Sequence, residues 1–171
     1  MNRKPDWRDI IKAVDAANKA PIAGNISTLR FVLVQDKGKI KELADACQQD
    51  FIFQVHYVVV VCSDNEQVTR SYDERGNKYA SEQAGAAIEN FLLKLVELKL
   101  SSCWVGAFAD KMIKNILSIP EEIDVVALLP VGYEKGLARR RRKTNLDNVL
   151  FYDEWENEHM KPLNEPPVSR A

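Results

Sequence analysis

Histidine is nearly absent from this chain of 171 residues, which carries only His56 and His159. A nucleophilic triad needs a base held by an orienting partner, and no local signature of one occurs. His56 sits beside a strand pattern and reads as a packed residue rather than a catalyst. Cysteine is scarce as well. Cys47, Cys62 and Cys103 are odd in number, widely spaced and without a CxxC pair. That pattern fits reduced, mostly buried thiols in a cytoplasmic protein better than a disulfide framework or a cysteine zinc site. There is no GxxxxGK[ST] loop and no GxGxxG turn, so the common nucleotide folds find no support. The longest apolar runs, Tyr57–Cys62 and Val125–Val131, are far short of a bilayer span. The opening MNRKPDWRD lacks the apolar stretch of a signal peptide. Nor is there a surplus of charge: 24 Lys and Arg against 25 Asp and Glu give a formal charge of -1. A whole-protein nucleic-acid or membrane binder is therefore disfavoured, and any electrostatic role must be local.

What is present is apolar enough to fold, at 46% hydrophobic residues. The length suits one domain spanning 1–171, with a core over about 5–155 and a tail over 156–171. Asp6 caps a first helix running to about Lys19, with Trp7, Ile10, Ile11, Val14 and Ala17 at helical spacing. Pro21 and Gly24 break it. Leu29–Val34 reads as a strand, Lys37 to about Gln49 as a second helix, and Tyr57–Cys62 as a central strand covered on both faces. Residues 63–79 are polar and read as a surface excursion. Ala84, Ala87, Ile88, Phe91, Leu92, Leu95 and Leu98 then mark one face of a central helix, and Gly85, Ala86, Leu93 and Val96 leave little polar surface elsewhere on it. Such a helix is expected to be buried in a core or across a subunit interface. Cys103-Trp104-Val105 follows as a short β-like run. Asp110 caps a short helix that Pro120 ends, and Ile123–Val131 forms a last strand closed by Gly132. The fold class expected is α+β.

No residues suggest self-contained acid–base or metal chemistry. The paired carboxylates Glu121-Glu122 and Glu154 with Glu156 stand at a helix start and on a solvated tail. An enzyme of this composition would borrow its chemistry from a cofactor. Three features bear on which. APIAGN at 20–25 is a turn that is either a helix C-cap or a set of donors and acceptors for the edge of a planar heterocycle. Trp104–Phe108 is either a plain connection with Trp104 in the core or a shelf of small residues that lets a backbone approach closely. Arg139–Lys143 is either a solvated face or a partner for a single phosphate.

In this order the features resemble the nitroreductase family of FMN-dependent oxidoreductases. The resemblance rests on APIAGN with RFVLV at 30–34, SEQAGAAIENFLL at 81–93, SSCWVGAF at 101–108, VVALLPVGY at 125–133 and RRRRKTNLDNVLFYDEW at 139–155. It implies a mixed, mostly antiparallel sheet flanked by helices, in an intertwined homodimer whose interface holds the long central helix. It implies one FMN in each of two sites between the chains. Pro21, Ile22, Ala23, Asn25 and Gln83 would reach the flavin of the opposite subunit. Trp104, Val105, Gly106 and Ala107 would lie against the ring, while Arg141 and Lys143 (or Arg142) would hold the phosphate. Gln48 or Gln49 would touch the pyrimidine edge. The activity implied passes electrons from NADH or NADPH through flavin to a nitroaromatic, a quinone or a similar acceptor in ping-pong order, with no obligatory catalytic side chain.

The sequence departs from the family pattern in places. An Arg-Arg-Ser motif usually precedes the first helix, where this chain has MNRKPDW, with Arg3 and Lys4 as cations outside the motif. Either that segment is truncated or phosphate binding rests on the C-terminal cluster. Ile22 stands where Ser is common, and Ser27-Thr28-Leu29 replaces the usual Gln-Pro-Trp. A short excursion at 63–79 would leave little lid over the flavin. The alternative left open is a dimer of this fold with weakened or lost flavin binding, acting as a binding or scaffold protein.

Overall fold

The computed structural model describes residues 3–136 and 143–160. These fall into two compact units, Met1–Gly136 and Leu137–Ala171.

In the first unit, strand β2 (Tyr57–Ser63) is buried along its whole length, as its unbroken apolar run predicts. Successive side chains of a strand point to opposite faces. Tyr57, Val59 and Val61 therefore enter one core while Val58, Val60 and Cys62 enter another. The first core is closed by helices α1 (Trp7–Ala17) and α4 (Glu74–Glu97), which contribute Ile10, Ala13, Ile88 and Phe91. The second is closed by α2 (Lys37–Cys47) and α5 (Asp110–Leu117), through Ile40, Leu43 and Ile113. A strand that feeds two cores carries apolar side chains on both faces, which is why it reads YVVVVC before ending at the hydrogen-bonded Ser63.

Strands β1 (Leu29–Val34), β3 (Ser101–Ser102) and β4 (Asp124–Gly132) complete a sheet of order β1-β2-β4-β3, with every pairing antiparallel. The α+β expectation, with a mostly antiparallel sheet flanked by helices, is met. Local chemistry sets the helix starts. The Asp6 carboxylate accepts from the Arg8 amide at 2.9 Å, and that of Asp36 accepts from the Lys39 amide at 2.9 Å, each pairing a donor that the first turn leaves without a partner. Gln48 ends α2 in the left-handed conformation, at φ 53°.

Three expectations are corrected. Residues 63–79 are not an irregular excursion but largely helical: α3 (Glu66–Tyr72) meets α4 at Asp73, and α4 starts six residues before Ala80. The polarity misleads because these turns are solvated and held by i,i+4 pairs such as Glu66–Arg70 and Lys78–Glu82. They are also held by a close approach: a Cβ on Gly76 would sit 2.4 Å from the Thr69 Cα. Next, Cys103-Trp104-Val105 is not a strand. β3 ends at Ser102, Trp104 is exposed, and Val105 makes only an isolated bridge to Leu128. Finally, the cap of α5 is Ala109 rather than Asp110, and the helix ends at a left-handed Ser118 before Pro120 is reached.

The second unit holds a 3-10 turn, Leu146–Asn148, and a small aromatic contact between Phe151 and Trp155 with ring centroids 5.0 Å apart. Tyr152 and Asn157 tie its loop, the Tyr152 amide donating to the Asn157 carbonyl at 2.8 Å. Among the described residues, no helix is long and apolar enough to cross a membrane.

Candidate functional site

Helix α1 is followed by a turn, Ala23–Asn25, in which both Gly24 (φ 55°) and Asn25 (φ 60°) adopt the left-handed conformation. Glycine suits position 24 in two ways. Its φ disfavours a side chain, and a Cβ there would stand 2.2 Å from the Tyr72 hydroxyl. Tyr72 in turn meets Tyr79 edge-on at 5.1 Å. The segment that reads as a surface excursion is thus the wall behind this turn.

Pro21, Ile22 and Ala23 face Gln83, Tyr79 and Glu82 of α4 across a hollow of about 350 Å³. Asn25 is exposed on the same turn and lies outside that lining. Gln83 is only 4% exposed, and among the described residues neither its Oε1 nor its Nε2 has a hydrogen-bond partner. Burying an unsatisfied polar group costs about 1–3 kcal/mol. A carboxamide held this way fits a ligand edge that offers one donor and one acceptor side by side, as the pyrimidine edge of a flavin does.

Trp104 lines a second hollow, about 340 Å³, opposite Ala80, Ser81 and Gly85 of α4. Its floor is polar. The Ser63 hydroxyl donates to Asn65 Oδ1 at 2.6 Å and lies 3.0 Å from Thr28 Oγ1, while Asn65 Nδ2 donates to Asp124 Oδ2 at 2.8 Å. Val105 is pinned to Leu128 by two backbone bonds of 3.0 Å. Gly106 and Ala107 follow with their backbone exposed, and a Cβ on Gly106 would meet nothing nearer than Trp104 Nε1 at 3.8 Å. Packing within the chain therefore leaves room over this backbone.

The turn and the Trp104 loop are not brought together in one chain. Gln83 and Gly85 are two residues apart on α4, which turns the helix by roughly 200°, so the two hollows lie on different sides of it. Gln48 is exposed and Gln49 half-buried at the C-terminal end of α2. Lys143 is exposed in the second unit, and Arg141 and Arg142 lie outside the described residues. Tyr79 and Glu82 are lining residues that sequence reasoning missed. Tyr79 stands four residues before Gln83 on α4, a spacing hidden by a helix start read at Ala80.

The sequence profile of the Nitroreductase family matches residues 41–133, more than half of the chain. The chain belongs to the Nitroreductase family. It is 31% identical over 139 residues to a protein of Archaeoglobus fulgidus named NADH dehydrogenase/NAD(P)H nitroreductase, covering 78% of this chain and 77% of that one. Two solved structures share the nitroreductase fold at lower identity. The NADPH:FMN oxidoreductase of Vibrio harveyi, complexed with NAD+, superposes with a TM-score of 0.79 at 15% identity, covering 92% of this chain and 72% of that one. Iodotyrosine deiodinase bound to FMN and 3-iodo-L-tyrosine gives 0.74 at 19% identity, covering 85% and 88%.

Proposed function

We propose that this nitroreductase-family chain is an FMN-dependent oxidoreductase that carries two electrons from NADH or NADPH to a nitroaromatic, a quinone or a similar acceptor. The observation that carries the reading is Gln83, a buried carboxamide with both polar atoms unpartnered beside an open hollow. FMN, when bound, supplies the redox chemistry between nucleotide and acceptor, and the chain supplies binding and orientation. Gln83 offers the flavin edge a donor and an acceptor, with Pro21, Ile22, Ala23 and Asn25 beside it. The Trp104–Ala107 backbone gives a flat shelf, its position set by the Val105–Leu128 bonds. Arg141 and Lys143 hold the phosphate. Nucleotide and acceptor use the same open site in turn, which gives ping-pong kinetics.

The working form is a homodimer. Two hollows on different sides of α4 serve one flavin only if a second copy supplies one of them. The exposed side of α4 carries Leu93, 59% exposed, and Val96, 65% exposed, near Ala86 and an open Gly85, with Glu82 and Glu89 exposed on the same side. Two large apolar side chains left exposed one helical turn apart fit an interface. Free cysteines and a reduced pyridine nucleotide as donor fit a cytoplasmic setting.

Steady-state oxidation of NADH and NADPH by the FMN-supplemented protein, with a nitroaromatic or a quinone as acceptor, tests the reading. Parallel double-reciprocal lines support it. Little or no uptake of FMN, with no nucleotide oxidation by any acceptor, favours the binding-protein alternative.

A further inference from the structure

In the proposed flavin site the Trp104 loop contributes its backbone, which leaves the floor of the neighbouring hollow without a role. That floor is firmly built. Asn65 stands between Ser63, at the end of β2, and Asp124, at the start of β4. An ionised carboxylate accepts hydrogen bonds and cannot donate them. Asn65 therefore turns its Nδ2 to Asp124 Oδ2, at 2.8 Å, and its Oδ1 to the Ser63 hydroxyl, at 2.6 Å. Ser63 and Thr28, whose hydroxyl oxygens lie 3.0 Å apart, are both buried and anchor the other end of the chain.

This order gives the hollow a definite sign. The one hydroxyl proton of Ser63 is committed to Asn65, and that of Ser81 to the Asn77 carbonyl at 2.9 Å. Asp124 is exposed, makes no ion pair among the described residues, and is the charged side chain of the lining. Trp104 lines the same space and is itself exposed. Indole is the aromatic ring that attracts a cation best. A carboxylate and an indole together favour an aromatic ligand that carries an ammonium or another N–H donor, and they disfavour an anionic one. The volume, about 340 Å³, suits a single ring with a short substituent.

We propose that the floor of this hollow is the specificity site for the electron acceptor, and that it selects a single-ring aromatic bearing a cationic or N–H donor substituent. The substituent pairs with Asp124 while the ring packs on Trp104. Asp124 is then the specificity-determining residue, and Asn65 and Ser63 are positioning residues that hold its carboxylate. That the ligand is an electron acceptor rests on the oxidoreductase reading; the preference for a cationic aromatic rests on the hollow alone.

Two measurements on the full chain supplemented with FMN test this. The first follows NADPH oxidation with para-nitrobenzylamine, a cation at neutral pH, and with para-nitrobenzoate. Each nitro group takes a hydride equivalent from NADPH and a proton from water, leaving a nitroso group and water. The expected kcat/KM is about tenfold higher for the amine than for the benzoate, and the preference disappears in Asp124→Asn. Asn65→Leu, which frees the carboxylate without removing it, lowers the preference chiefly through the KM of the amine. The second is a calorimetric titration with benzylamine and with benzoate, neither of which has a reducible group. Saturable benzylamine binding is expected, weakened about tenfold in Asp124→Asn and stronger than that of benzoate in the wild type. The unliganded melting temperature of Asp124→Asn should match the wild type, because the carboxylate is exposed. No benzylamine binding, or equal binding by wild type and Asp124→Asn, overturns the site. Turnover with equal kcat/KM for both acceptors overturns its part in acceptor choice. Benzylamine binding that depends on Asp124, with no turnover of either acceptor, counts against the oxidoreductase reading and leaves the site standing.

Discussion

Gln83 shows most plainly at the scale of one residue how function reads against stability. Neither polar atom of its buried carboxamide is satisfied among the described residues, so the chain gains nothing from them. Gln83→Leu is therefore predicted to leave the unliganded protein as stable, or up to about 1 kcal/mol more stable, while lowering FMN affinity about tenfold. Urea unfolding and flavin fluorescence titration check the two halves separately. The cysteines make a second residue-scale prediction. Burial pushes the Cys47 and Cys62 thiols up to about 11 from 9.0, with nearby Asp110 adding to the rise at Cys62 and Lys114 opposing it. Cys103 is exposed. A thiol reagent at pH 8 should modify one cysteine in the native protein and three after unfolding. In the unfolded chain these thiols lose their protons near the ordinary value, whereas in the native protein they keep them. Stability from this source is thus full below pH 9 and is lost as pH rises toward 11. Urea midpoints measured from pH 8 to 11 test the sign.

At the scale of elements, what could be read early was what local chemistry dictates. β1 has the bounds its β-branched and aromatic residues predict, Asp6 caps α1, and β2 is buried on both faces because YVVVVC has no polar side to show. What could not be read depends on contacts between distant segments. α3 and the start of α4 look like a loop because their polar residues face water. Their helicity also rests on Gly76, which lets α4 approach the α3 backbone. Gly76→Ala is predicted to destabilise by about 1–3 kcal/mol, since the new methyl meets backbone atoms and not a movable side-chain end. Thermal unfolding gives the value. The two candidate hollows follow the same division. The turn and Gln83 could be named from the sequence. Their walls, Tyr72 and Tyr79, could not, because they come from the segment that reads as loop.

For the whole molecule the account requires two chains. The turn with Gln83 and the Trp104 shelf lie on different sides of α4, and the stripe carrying Leu93 and Val96 is exposed in the single chain. Replacing both Leu93 and Val96 with Asp should convert a dimer to a folded monomer in analytical ultracentrifugation, with circular dichroism unchanged and FMN retention lost. The most direct test of the central claim is a visible spectrum of the purified wild-type protein, recorded before and after FMN is added and the excess removed. The account predicts a yellow protein with bound-flavin absorbance and one FMN per chain, two per dimer. A colourless protein that retains no added FMN would contradict it.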